Sequence, residues 1–126
     1  MTTNPFFTYC GVHYKTCPVE LREAWAAVGT FDKINEIMNE LLPNSFIEFV
    51  VISTCNRFDL CLFGSINESQ VYQIFIELYK IARCEKKLDV NNLFANKIAS
   101  YLNIFYDGCA IRNLFKVTAS LDSLVL

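Results

Sequence analysis

Histidine occurs once in this 126-residue chain, and glycine and proline are scarce, at four and three residues. The low Gly and Pro counts exclude collagen-like or linker-like sequence, and an apolar fraction of 53% excludes intrinsic disorder. Six cysteines, at 10, 17, 55, 61, 84 and 109, include no C-x-x-C pair. With His13 as the only imidazole, a structural metal or a disulfide framework is a weak reading, and most of these thiols are expected to be small buried hydrophobes. A basic excess is also missing, since 11 Lys and Arg face 13 Asp and Glu. A domain that lives by non-specific grip on phosphates would be basic, so only a local patch is left for a nucleic-acid partner. Residues 1–7 hold no Lys or Arg and no long apolar run, so no secretory signal is read. No stretch approaches the length of a membrane span. The expectation is a cytoplasmic protein with no membrane association.

What is present reads as one domain with a core. Residues 6–14, rich in aromatics, Cys and Val, predict a strand. Pro18 opens a helix that Gly29 closes, and a second runs from Asp32 to Pro43 with Ile34, Met38 and Leu41 at helical spacing. Residues 46–54 predict a strand, placed inside the sheet because alternation is poor, and 58–63 another. Ser65 to Glu68 has the spacing of a capping box before a helix with Val71, Ile74, Phe75, Leu78 and Ala82 on one face. The aromatics are read as mostly core, and Tyr72 and Phe75 are not read as base-stacking platforms. Residues 83–89 read as a charged helix end, 93–98 as a short helix and 102–106 as a strand. From Cys109 a helix resumes, with Ile111, Leu114, Phe115 and Thr118 on one side. The chain stops while still apolar, which suggests a fragment. Mixed strands and helices imply an α+β sandwich with helices on one face of the sheet.

The most telling local feature is Ser53-Thr54-Cys55-Asn56-Arg57, a cysteine in a polar turn between two apolar strands. A guanidinium near a solvent-reachable thiol favours the thiolate, the form that acts as nucleophile. Spacing alone favours the plainer reading, an unreactive thiol in a β-turn with Arg57 solvated. Followed by Asp59, this pentapeptide resembles the signature of the glutamyl-tRNA reductase family, where Glu is usual at that last position. Two further segments resemble the family in order and spacing. One runs Gly11-Val12-His13-Tyr14-Lys15-Thr16-Cys17-Pro18-Val19-Glu20-Leu21-Arg22-Glu23. The other runs from Ile111 through Asn113-Leu114-Phe115 to Leu121-Asp122-Ser123.

The resemblance implies a ferredoxin-like, mostly antiparallel α+β fold, with 1–126 as the N-terminal catalytic domain. It implies that Cys55 attacks the ester of glutamyl-tRNA and holds glutamate as a thioester. In the full-length enzyme NADPH then releases glutamate-1-semialdehyde for tetrapyrrole and haem synthesis. Substrate-binding positions map to Thr54, Asn56, Arg57 and Ser123, and Arg57 suits a carboxylate because its planar fork makes two charge-assisted bonds. Asn113 stands where the family normally has a histidine; an amide donates and accepts hydrogen bonds but cannot titrate. Ser120 replaces a usual Gly, His13 a small polar residue, and Tyr14 a common histidine. His13 is read as a half-buried strand histidine with a backbone partner. Arg112 and Lys116, four apart on one helix, are the better candidates for the tRNA acceptor end, whereas the 83–87 basic run is read as a solvated face. The family further implies a homodimer formed through a later domain and glutamate-1-semialdehyde aminomutase as a partner. No G-x-G-x-x-G is present, so no NADPH site is expected in this chain, and no metal. The alternatives are a degenerate, non-catalytic module binding tRNA or a protein, and a redox thiol protein in which Cys61 resolves Cys55.

Overall fold

The computed structural model describes residues 5–85 and 97–125, with side chains as far as Ala119. In chain order it contains β1 (Phe7–His13), α1 (Val19–Val28), α2 (Phe31–Leu41), β2 (Glu48–Ser53), β3 (Arg57–Phe63), α3 (Glu68–Cys84), α4 (Ile98–Tyr101), β4 (Asn103–Tyr106) and α5 (Asp107–Val125). The strands form one antiparallel sheet in the order β2-β3-β1-β4. Each helical crossover skips a position that another strand fills, which is the split-βαβ, ferredoxin-like arrangement expected from the resemblance.

Period-two alternation assigns the two sheet faces. Cys10 and Val12 of β1 and Phe58, Leu60 and Leu62 of β3 point to one side, against Leu21 and Trp25 of α1, Ile34 and Met38 of α2, and Phe75 and Leu78 of α3. Each fully buried Leu, Ile or Phe there contributes about 1.5–3 kcal/mol of apolar transfer. Trp25 also donates its indole N–H to the Phe75 carbonyl at 3.1 Å, so the largest core side chain is buried without an unpaired donor. The other face is covered in part by α5, whose Ala110, Leu114 and Val117 pack on Phe7, Tyr9, Cys61 and Phe105.

Four local expectations are corrected. Strand β2 is an edge strand, not an inner one: Phe49 and Val51 pack on the core, while Glu48 and Val50 are exposed beyond the reach of α5. An exposed valine hid that alternation. The capping box of α3 is Asn67 with Gln70, two residues later than Ser65 and Glu68, each side chain bonding the other's backbone N–H at 2.9 Å. Helix α5 starts at Asp107, and its packed side is Ala110, Leu114 and Val117; Ile111 and Phe115 face outward. Of the six thiols, Cys10, Cys17 and Cys61 are buried and Cys55, Cys84 and Cys109 exposed, so half rather than most are core. Gly29 does close α1, its N–H bonding the Trp25 carbonyl at 2.7 Å. Residues 86–96, including most of the 93–98 segment and the basic Lys86 and Lys87, lie outside the described residues. Among the described residues no helix is long and apolar enough to cross a membrane.

Candidate active site

Strands β2 and β3 are joined by a short turn. Thr54 N–H bonds the Arg57 carbonyl at 2.9 Å, leaving Cys55 and Asn56 at the tip. Two-residue hairpin loops usually rely on residues with positive φ. Here the only non-glycine positive φ among the described residues is that of Asp107. This turn is held instead by bonds from outside the usual hairpin geometry. Thr54 Oγ1 accepts from Asn56 N–H at 3.2 Å, Tyr14 N–H reaches the Asn56 carbonyl at 2.9 Å, and Arg22 of α1 donates Nη1–H to the Cys55 carbonyl at 2.8 Å. Cys55 is therefore exposed on a turn fastened to β1 and α1. Arg22 is a residue that sequence reasoning did not assign to the site. Its signal was the first-helix segment standing in register with the cysteine turn.

Arg57 begins β3 and faces the α5 side of the sheet, as does Asp59 two residues on. The guanidinium meets the Asp59 carboxylate at 2.9 Å, with the Asp side chain 3% and the Arg side chain 25% exposed. Tyr9 Oη donates to the same carboxylate oxygen. Burial raises the Asp59 carboxyl above its usual range, outweighing the bonds from Tyr9 and Arg57 that pull it down. Burial, and then the neighbouring carboxylate, also push the Tyr9 phenol up, so it stays a proton donor. Gly11 explains why the carboxylate fits: a Cβ there would sit 1.9 Å from Asp59 Oδ1 and 2.5 Å from the Phe58 carbonyl oxygen.

These residues line a cavity of about 140 Å³ that His13, Asn103 and Asn113 also border. His13 is half-buried, and its Nδ1 accepts the Lys15 backbone N–H at 3.3 Å, which is the backbone partner expected for it. Burial, and next the Arg57 charge, hold its pKa below the ordinary value, so the ring is neutral near pH 7 with its proton on Nε2. A more open groove of about 330 Å³ shares Phe105 and Asn113 with the cavity and runs past Cys109, Arg112 and Lys116.

The structure thus brings Arg57 and Asn113 into one cavity. Thr54, Cys55 and Asn56, on the turn that leads into Arg57, are not among the residues that line it, and the Ser123 side chain lies outside the described residues. Tyr9, His13, Asp59 and Asn103 are cavity residues that sequence reasoning did not place there. Cys61 faces the α5-side core at 2% exposure, its thiol pushed up to about 11 by burial and then by Asp59. Such a thiol makes a poor resolving partner for Cys55. Among the described residues no His, Cys, Asp and Glu cluster could hold a metal ion.

A split-βαβ sandwich with an exposed cysteine on one hairpin turn and an Arg- and Asp-lined cavity on the α5 side of its sheet defines the class as a small antiparallel α+β domain. The chain belongs to the family described as glutamyl-tRNAGlu reductase, N-terminal domain, which it matches over residues 10–126. It is 31% identical over 122 residues to the glutamyl-tRNA reductase of Thermodesulfovibrio yellowstonii, covering 92% of this chain and 26% of that protein. It is 35% identical over 117 residues to that of a Sulfurihydrogenibium species, covering 92% and 24%. With that of Geobacillus kaustophilus it shares 36% over 120 residues, covering 92% and 23%. The chain spans about a quarter of the length of these relatives.

Proposed function

We propose that this domain performs the acyl-transfer half of glutamyl-tRNA reduction. The Cys55 thiol gives up its proton, and the sulfur attacks the ester carbonyl that joins glutamate to the terminal ribose of tRNA. The carbon–oxygen bond to the ribose breaks, the leaving oxygen takes a proton, and glutamate stays on Cys55 as a thioester. The observation that carries this reading is an exposed thiol on a braced turn two residues before a guanidinium that lines a cavity of side-chain size. Fixing the acyl group beside the sulfur supplies proximity. A glutamyl ester carries a γ-carboxylate, and Arg57, held by Asp59 through Nη1 and still 25% exposed, keeps further N–H groups for it. Arg112 and Lys116, exposed along the connecting groove, suit the phosphates of an acceptor end. Thr54, Asn56 and Ser123 are assigned to substrate binding by the family resemblance.

NADPH, glutamate-1-semialdehyde release toward tetrapyrroles, homodimerisation and an aminomutase partner are proposed for the whole enzyme, in a cytoplasmic setting. The residues of this chain do not fit the dinucleotide. Its four glycines are isolated from one another, and the absent side chains of Gly11 and Gly29 are matched by close packing of Asp59 and Phe58 rather than by open space for a pyrophosphate. The thioester is the last species these residues account for.

Intact-mass measurement of the chain mixed with glutamyl-tRNA tests the reading. A glutamyl adduct is expected on the wild type and none on Cys55→Ser; no adduct on either, or the same adduct on both, defeats it. A second reading, a binding module without catalysis, is favoured by Asn113, which cannot exchange a proton in the cavity. In the same assay a large gain in Asn113→His supports a weakened enzyme. A Cys55→Ser protein that binds glutamyl-tRNA, with no adduct on either the wild type or Asn113→His, supports the module.

A further inference from the structure

The turn that carries Cys55 does not support itself. Cys55 and Asn56 lie between Thr54 and Arg57 without the positive φ values that close most two-residue hairpin loops. Two backbone bonds hold the loop, Thr54 N–H to the Arg57 carbonyl and Tyr14 N–H to the Asn56 carbonyl, both at 2.9 Å. Neither uses the peptide between Cys55 and Asn56. Side chains hold that peptide at its two ends: its N–H meets Thr54 Oγ1 at 3.2 Å, and its carbonyl meets Arg22 Nη1 at 2.8 Å. The second bond is shorter and has a charged donor, the stronger kind.

Among the described residues Arg22 forms no ion pair. Its guanidinium is spent on two backbone carbonyls, Nε–H on Cys17 at 3.3 Å and Nη1–H on Cys55 at 2.8 Å. One carbonyl lies just before α1 and the other on the turn, and a planar fork spans both where a lysine ammonium is a point donor on a flexible stem. Leu21 and Trp25 of the same helix are fully buried, so the backbone of Arg22 moves with the core while its tip holds the peptide of the cysteine. The Arg22 side chain is itself half-buried and outside the apolar core, so the packing of the fold does not run through it. Loss of its bond frees the Cys55–Asn56 peptide to turn over. That changes ψ of Cys55 and φ of Asn56, and with them the placement of the sulfur relative to Arg57.

We propose that Arg22 is a positioning residue for Cys55: by clamping the Cys55 carbonyl to the start of α1, it fixes the peptide that aims the sulfur at the acyl carbon. The role rests on the acyl-transfer reading for the reaction it serves, and one arm of its test needs no chemistry. Arg22→Met removes the donors at similar length, Arg22→Gln keeps an uncharged amide donor, and Arg22→Lys keeps the charge without the fork. Intact mass follows the glutamyl adduct against glutamyl-tRNA concentration, peptide mapping follows iodoacetamide on Cys55, and NMR follows exchange of the Asn56 amide. Arg22→Met is expected to lower the maximal adduct rate about 100-fold, the cost of a misplacement near 1 Å, while the half-saturating concentration stays within about 2-fold. Alkylation of Cys55 should stay within about 3-fold of wild type, because a small electrophile accepts the sulfur in any orientation. Asn56 exchange should quicken about 10-fold as its peptide is freed, with little change in the urea midpoint. Arg22→Lys should recover about 10-fold of the lost rate through its single donor. An unchanged maximal rate in Arg22→Met overturns the inference. So does a rise in the half-saturating concentration alone, which marks a tRNA contact, or a parallel fall in alkylation, which marks an effect on the thiol itself. Should the wild type form no adduct, the acyl-transfer reading falls by itself. Faster Asn56 exchange in Arg22→Met then leaves Arg22 standing as the holder of the turn, and unchanged exchange overturns that as well. If Arg22→Met fails to fold, Arg22→Gln and Arg22→Lys supply the rates. Failure of all three to fold overturns the inference, because the arginine is then required for the fold.

Discussion

Gly11→Ala is the sharpest test of how the cavity is built. The added methyl would lie 1.9 Å from Asp59 Oδ1, 2.5 Å from the Phe58 carbonyl oxygen and 2.6 Å from Asp59 Cα. Two of those three atoms are backbone, so no rotamer change clears the clash. Either β1 and β3 part locally or the Asp59 carboxylate is expelled, and expulsion strands Arg57 and the Tyr9 hydroxyl. Overpacking alone costs about 1–3 kcal/mol, and losing one partner of a buried ion pair about 3–5. The expected loss is about 3 kcal/mol, or roughly a 10 °C fall in Tm for a chain of this size. Gly108→Ala is the matched control: a Cβ there meets nothing within 4 Å, and the position lies in α5 without a positive φ. Alanine should raise stability there by about 0.5 kcal/mol through helix propensity and a less flexible unfolded chain. Urea midpoints at unchanged m-value read both effects. A Gly11→Ala chain destabilised by less than about 1 kcal/mol would refute the close packing of Asp59 over β1.

Two other measurements address the thiols and the imidazole. Iodoacetamide on the native chain should label Cys55, Cys84 and Cys109, and reach Cys10, Cys17 and Cys61 only after unfolding; burial lifts the Cys17 thiol to about 12 and the Cys61 thiol to about 11. Native labelling of Cys61 would return the redox reading to contention. His13 has a folded pKa below 6.5, because of burial first and Arg57 second, so the unfolded chain takes up its proton first as the pH falls. Stability should therefore drop as the pH falls through the window just under 6.5, and His13→Asn should flatten that part of the urea-midpoint curve. Asp59, raised above 3.8, slopes the curve the opposite way at lower pH, so the two contributions separate. A variant as steep as wild type below 6.5 would contradict the assigned environment of His13.

The legible part of this protein was local. Pro18, Gly29, the apolar stripe of α3 and the turn at Cys55 all announce themselves within a few residues, because caps, helical periodicity and turn chemistry are short-range. The edge position of β2 was not legible, since it depends on which strand lies beyond it and on how far α5 reaches. Residues on α5 were assigned to the wrong side for a related reason: Ile111 and Phe115 are more hydrophobic than Ala110, yet close approach to Phe7 and Tyr9 favours the small residue.

The cavity itself was half-legible. Arg57 and Asp59 are two apart in a strand and so share a face, and a lone carboxylate in Phe58-Asp59-Leu60-Cys61-Leu62 is a charge that burial tolerates only with a partner. Those two facts were a usable signal that sequence reasoning left unused; the structure shows the pair at 2.9 Å. Asn103 comes from the opposite flank, 44 positions later in the chain, and reaches the same cavity only because β1 separates and pairs both strands. The connecting clue was Gly11, an isolated glycine inside an otherwise apolar strand. Glycine weakens a strand, so its presence marks a place where something must come close. Here the close neighbour is the Asp59 carboxylate, and Arg57 of β3 and Asn103 of β4, the strands on either side of β1, border the cavity beside it.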